Sequence, residues 1–182
     1  MIVIGSVRPV RVGPAVAEWV RAEAQRAGGW DIDYVDLAEL ALPFMDEPNH
    51  PVLRKYTKQH TLDWSARVDA ADAFVFVSPE YNHGFSPALK NALDFLSQEW
   101  WRKPVGFVSY GGVSGGTRGV AAFDPVYTTL GAVKTTANVE INFVGTMIKD
   151  GVFTPNDKEN AILGKVLDEL DTLGTALKAL RG

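Results

Sequence analysis

Three stretches of this chain hold residue types whose spacing could do chemistry together. The first is Gly5-Ser6-Val7-Arg8-Pro9-Val10-Arg11-Val12-Gly13, between an apolar segment and a helical pattern. A helix start offers unpaired N–H groups and a positive dipole end. Ser6 adds a hydroxyl, and Arg8 and Arg11 add guanidiniums suited to bidentate contact with phosphate oxygens. The Gly-Lys-Ser/Thr ending of a nucleotide triphosphate loop is missing, and so is the Gly-x-Gly-x-x-Gly of a dinucleotide fold. The expected ligand group is a monophosphate, held by Ser6, Arg8 and Arg11 and by the helix dipole.

The second stretch is Pro79-Glu80-Tyr81-Asn82-His83-Gly84-Phe85-Ser86-Pro87. A tyrosine beside amide and backbone polar groups suits a planar heteroaromatic ring with hydrogen-bonding edges. His83 has no second histidine or carboxylate at ligand spacing, so neither a metal site nor an acid–base pair is expected there. The third stretch, Gly111-Gly112-Val113-Ser114-Gly115-Gly116, contains the Gly-x-Ser-x-Gly pattern of a hydrolase nucleophile elbow. That fold requires a histidine after the serine. The three histidines, His50, His60 and His83, all precede Ser114. The glycines read better as backbone that a flat ligand can approach closely. No side chain is expected to act as a catalytic residue in its own right.

The elements that must position these loops follow from composition and periodicity. The chain has 182 residues, 46% apolar and 22% charged, as in an ordinary globular protein. One domain spanning residues 1–182 is expected from a prior of roughly 150 residues per domain. The absence of cysteine excludes disulfides, thiolate metal sites and a cysteine nucleophile. Eighteen basic and 22 acidic residues leave a net charge of −4, with no basic surplus for nucleic acid. No apolar run nears the roughly 20 residues of a membrane span, and Met1 to Ile4 lacks the pattern of a signal peptide. A cytoplasmic protein is expected.

Apolar segments alternate with helical patterns, which predicts βαβ units around a parallel sheet. Met1 to Ile4, Ala73 to Val77 and Val105 to Val108 are continuously or nearly apolar, as strands covered on both faces are. Trp30 to Tyr34 and Thr136 to Phe143 alternate, as edge strands do. With right-handed crossovers this gives a five-stranded sheet in order 2-1-3-4-5, the flavodoxin-like three-layer arrangement. In such sheets ligands sit outside the strand carboxyl ends, where the three stretches fall. Gly13-Pro14 opens the first helix, with Val16, Trp19, Val20, Ala24 and Ala27 as its stripe. Thr154 to Asp157 reads as a capping box for a C-terminal helix whose face carries Ile162, Val166, Leu170, Leu173, Leu177 and Leu180.

At the quoted stretches the sequence resembles the NADPH-dependent FMN reductase family. The matching residues are Gly5 to Arg8, Pro79 to Asn82 with Leu89-Lys90-Asn91-Ala92-Leu93-Asp94, and Lys103-Pro104 through Ser109-Tyr110-Gly111-Gly112. Beyond Gly119 the likeness is architectural. Two departures are Ala88, where many members have glycine, and a first strand that begins at Met1. The resemblance implies FMN, with its phosphate near Ser6, Arg8, Arg11, Val12 and Gly13. It places Pro79, Glu80, Tyr81, Asn82 and His83 against the isoalloxazine, and Ser109, Tyr110, Gly111 and Gly112 along its pyrimidine side. It also implies NADPH or NADH as donor, flavins, quinones, azo compounds or metal oxyanions as acceptors, and dimers or dimers of dimers. Flavin carries hydride chemistry itself, which accounts for the missing acid–base pair. Backbone N–H groups of Gly111 and Gly112 would then oppose the charge of the reduced ring.

A flavodoxin-like electron carrier is the competing reading. Flavodoxin phosphate loops are uncharged, whereas this one has Arg8 and Arg11, and carriers are usually far more acidic than −4. Self-association as a homodimer or homotetramer is also expected, through the helix after Tyr81-Asn82. Leu89, Ala92, Leu93 and Leu96 suffice to cover the sheet, leaving Phe95, Trp100 and Trp101 for an interface.

Overall fold

The computed structural model describes residues 1–181. The chain runs β1 (Ile2–Ile4), α1 (Gly13–Ala27), β2 (Tyr34–Asp36), α2 (Leu37–Leu40), α3 (Gln59–Ala70), β3 (Phe74–Pro79) and α4 (Pro87–Asp94). It continues through β4 (Pro104–Tyr110), α5 (Thr117–Leu130), β5 (Val133–Lys134), β6 (Val139–Ile141), β7 (Ile148–Lys149), β8 (Val152–Phe153) and α6 (Asp157–Lys178). The main sheet is parallel, in order β2-β1-β3-β4-β5, with β6 also on β4. The expected flavodoxin-like order is therefore observed.

Every residue of β1, β3 and β4 is buried, because helices cover both faces. On one face α1 and α6 bring Val16, Val20, Leu163, Val166 and Leu170 against Ile2, Ile4, Val75 and Val108. On the other, α3, α4 and α5 bring Trp64, Leu89, Leu93 and Phe123 against Val3, Phe74, Phe76 and Phe107. The last turns of α6 are less buried than the expected stripe: Leu173 and Leu177 are half-buried and Leu180 is exposed.

Both edge strands differ from the sequence reading. The second strand is Tyr34–Asp36 rather than Trp30 to Tyr34, because Ile2 to Ile4 pair with Tyr34 to Asp36. The fifth strand is divided. Val133–Lys134 pairs with Pro104 and Val105, and Val139–Ile141 with Val108 to Tyr110. Between them the Glu169 carboxylate of α6 accepts from the Thr136 N–H at 2.6 Å and the Ala137 N–H at 3.3 Å. Those donors are lost to the ladder. The capping box of α6 is also displaced: Asn156 is its N-cap, and its N–H donates to Glu159, not Asp157, at 2.9 Å.

Phe95 and Trp100 are not available for an interface. Both are buried, and Trp100 lies 5.0 Å from Phe74, centroid to centroid. The indole N–H groups of Trp64 and Trp100 donate to the Ala92 and Leu93 carbonyls at 2.9 and 3.1 Å. These are carbonyls of the last turn of α4, which the helix itself cannot pair. Only Trp101 remains half-exposed, under the Arg102 guanidinium.

Lys103 caps α3 in the same way. Its ammonium donates to the Val68 and Asp69 carbonyls at 2.6 and 2.9 Å while only 4% exposed. Burial lowers its pKa from 10.5 to about 8, despite the opposing charges of Asp69, Asp72 and Glu99. Between these values the unfolded chain binds the extra proton, so stability must rise with pH. We expect a gain of about 2 kcal/mol between pH 8 and 10 from this group. Urea unfolding at the two pH values should show the rise, and Lys103→Met should abolish it.

Candidate functional site

The carboxyl ends of β1, β3 and β4 deliver the three loops to one edge of the molecule. Gly5, at the start of the first, donates its N–H to the Val77 carbonyl at 2.8 Å. Ser86, the N-cap of α4, donates its hydroxyl to the Gly5 carbonyl and so ties the second loop to the first.

In the first loop Ser6 is buried, and its hydroxyl meets the Tyr81 hydroxyl at 2.6 Å. The exposed Arg8 stacks its guanidinium 5.7 Å from the Tyr81 ring centroid. Arg11 is turned the other way and pairs with Asp36 at the end of β2, at 2.5 Å. Val12 is the N-cap of α1 but supplies no side-chain cap, and the first turn holds no acidic residue. The positive end of a 15-residue helix thus carries no compensating side chain. Val10, wholly exposed at the loop tip, has φ +56°, a left-handed conformation that a β-branched residue adopts only under strain.

The second loop folds on itself. Tyr81 and Gly84 exchange backbone hydrogen bonds at 3.0 and 2.9 Å around Asn82 and His83. Both central residues have positive φ, +49° and +68°, as a primed two-residue turn requires. His83 leans on the Arg118 guanidinium. Pro79 ends β3, paired with Tyr110 of β4.

Glu80 does not face the open site. Its carboxylate accepts from the Ser114 hydroxyl at 2.8 Å and from the Arg118 and Gly119 N–H groups at 3.1 and 3.3 Å. It therefore caps α5 from another loop, with the Arg118 guanidinium 3.3 Å away. Burial alone would raise its pKa. The Ser114 hydroxyl, the two N–H groups and the Arg118 charge outweigh it and hold the carboxyl below the usual range.

The third loop is shaped by packing as much as by access. Gly116, at φ +94°, admits no side chain, since a Cβ would lie 2.6 Å from that of Ser109. Ser109 itself points inward, donating to the Gly115 carbonyl at 2.9 Å. The Gly111 N–H donates to the Ile141 carbonyl at 3.2 Å. Gly112 faces open space, and its N–H has no backbone acceptor among the described residues. Of the two donors expected for a ring, only Gly112 is free. The Tyr110 side chain does not join Gly111 and Gly112; it runs beneath the first turn of α1.

Ser6, Arg8, Tyr81, Gly112 and the start of α1 thus stand at one edge, while Arg11, Glu80 and Ser109 are held by protein partners. Sequence reasoning missed Asp36, Ser86 and Arg118, which hold the loops in place; their signal was position, each lying at a strand end or helix start. Among the described residues, one hollow of about 820 Å³ lies at the opposite end of the sheet, beside Met1, Asp33 and Lys178. Another, of about 630 Å³, adjoins the site and is lined by Val7, Arg8, Leu42, Phe44, Tyr81 and Ala88. No group of three or more His, Asp or Glu among the described residues could hold a metal ion, and no helix is long and apolar enough to cross a membrane.

An open, doubly wound α/β protein with an uncapped helix start and a tyrosine-lined loop at the strand ends is the class this geometry defines. The family model described as NADPH-dependent FMN reductase matches residues 1–144, and the chain belongs to that family. An NAD(P)H-dependent FMN reductase of Schizosaccharomyces pombe is 44% identical over 118 residues, covering 64% of this chain and 59% of that protein. An NADPH azoreductase of a Bacillus species is 32% identical over 149 residues, covering 80% and 79%. The chain spans less than two thirds of the length of the fungal relatives. Among solved structures, the flavoenzyme NAD(P)H:(acceptor) oxidoreductase FerB of Paracoccus denitrificans superposes with a TM-score of 0.71 at 19% identity, covering 98% of this chain and 96% of that one. A Streptococcus pneumoniae flavodoxin gives 0.60 at 16%, covering 94% and 96%.

The Glu80 staple is directly testable. Glu80→Gln keeps the shape but weakens charge-assisted bonds to three donors, so urea unfolding should show a loss of about 2 kcal/mol. A change below about 0.5 kcal/mol would mean that α5 needs no cap from this loop.

Proposed function

We propose that residues 1–182 form one FMN-binding reductase domain that passes electrons from NADPH or NADH to a small-molecule acceptor. The observation that carries this reading is the bond between Ser6 and Tyr81 beneath the Arg8 guanidinium. It joins a phosphate-binding helix start to an aromatic loop suited to a flat ring. The residues present fit FMN. Ser6, Arg8 and the uncapped first turn of α1 would hold the phosphate, Tyr81 and Asn82 would flank the ring, and Gly112 would offer it an N–H. Bound FMN supplies the hydride chemistry. What the chain adds is binding, orientation and the exclusion of side chains from the Gly111-Gly112 approach.

Relatives named as FMN reductases, quinone oxidoreductases and azoreductases support a flavin, quinone or azo compound as acceptor. Donor and acceptor would use one site in turn, a ping-pong order. A cytoplasmic setting goes with a reduced nicotinamide donor. We also propose a homodimer or homotetramer. Its support is the apolar groove beside the site, where Phe44 is 88% exposed. An apolar patch of this kind is a liability on a monomer.

Titration with FMN and riboflavin tests the cofactor. FMN should bind far more tightly, and Arg8→Ala should reduce that preference by about 1.5–3 kcal/mol. Equal affinity for the two flavins would overturn the phosphate assignment. With NADPH and a quinone, initial-rate plots should be parallel. Tight FMN binding without turnover would instead identify an electron carrier. Light scattering at micromolar concentration should give a multiple of 19.8 kDa, and a monomer mass would refute the assembly.

A further inference from the structure

We propose that the Tyr110 hydroxyl is a phosphate ligand, donating from beneath the helix start to an oxygen of the FMN phosphomonoester. This rests on the FMN reading above and moves Tyr110 from the ring side of the site to the phosphate side.

Tyr110 ends β4 and is 5% exposed. Its hydroxyl is fully buried and has no hydrogen-bond partner among the described residues. A buried hydroxyl without a partner costs free energy, and native structures rarely leave one. This hydroxyl lies under Gly13, where a Cβ would stand only 2.8 Å from it. Any side chain at that position would fill the space between the phenol and the first turn of α1.

The surroundings are those of an anion. Ser6 and Tyr81 lie beside the phenol, and the Arg8 and Arg11 charges act on it. Burial raises the pKa of the phenol, so it stays a donor at neutral pH. The first turn of α1 has neither a side-chain cap nor an acidic residue. The Ser6 hydroxyl is shared with Tyr81, and the Tyr110 hydroxyl beside them is buried without a hydrogen-bond partner. A phosphate oxygen supplies what is missing.

Binding of FMN and riboflavin to the flavin-free full chain, with Tyr110→Phe beside wild type, tests this. FMN affinity should fall about tenfold or more, as for a hydrogen bond to a charged group, while riboflavin affinity stays within about twofold. The flavin-free variant should melt no lower than wild type, because the deleted hydroxyl had no partner to lose. Unchanged FMN affinity in a protein that still prefers FMN to riboflavin would overturn the assignment and leave the FMN reading standing. A parallel loss for both flavins would show a structural role and overturn it as well. If wild type does not distinguish the two flavins, the phosphate reading falls and this assignment with it.

Discussion

Six consecutive residue pairs between β3 and β4, from Phe74–Val105 to Pro79–Tyr110, fix where everything else in the molecule can be. The two strands are buried along their whole length, so the ladder cannot slip by one residue without driving either Phe76 or Phe107 to the opposite face. Its carboxyl end delivers Glu80 and Gly111 side by side, and the Glu80 N–H closes the pairing on the Tyr110 carbonyl at 3.1 Å. The second and third loops therefore leave the sheet from one point. The first joins them through β1, whose Ile4 pairs with Val77 of β3.

Charge around this edge is sorted by what each group must hold. Glu80 and Asp36, two carboxylates beside the loops, are both engaged by protein donors. Glu80 satisfies the start of α5, while Asp36 caps α2, accepting from Ala38 at 2.9 Å, and pairs with Arg11. The start of α1 is treated differently, with no side-chain cap and no acid. A helix dipole that one carboxylate would neutralise is left uncompensated where an anionic ligand would lie. The contrast between α1 and α5, both rising from strands of the same sheet, lies in whether a side chain caps the helix start.

Sheet order and loop placement were legible in the sequence because burial writes itself into composition. Strands covered on two faces must be apolar throughout, and Phe74 to Val77 and Val105 to Val108 are nearly so. The edges were less legible. The alternation of Thr136 to Phe143 holds at Val139 to Ile141, but a distant carboxylate, Glu169, takes the donors that would have continued the strand. Phe95 and Trp100 misled for a related reason. Helical spacing puts Phe95 off the buried stripe of α4 and leaves Trp100 beyond its end, yet the chain turns Trp100 back to cap it. Individual contacts of this kind depend on tertiary closure, which periodicity does not encode. Glu80 shows the same limit at the site: its place in the motif is readable, its attachment to α5 is not.

Backbone strain at the edge has a common sense. Val10, Asn82 and His83 all take positive φ, at the tips of the first two loops. Each costs of order 1 kcal/mol or more relative to an ordinary conformation, with the β-branched Val10 the worst of them. Such conformations persist only where the flanking structure determines them more strongly than the residue resists. Here the flanks are firmly fixed. Tyr81 and Gly84 lock the second loop with two backbone bonds, and Ser86 ties it to Gly5. The first loop is anchored at Ser6 by Tyr81 and at Arg11 by Asp36. The strain therefore measures how far the ladder and its attachments hold both loops in shape. A ligand meeting them pays little to order the chain, so more of the contact energy is left for affinity.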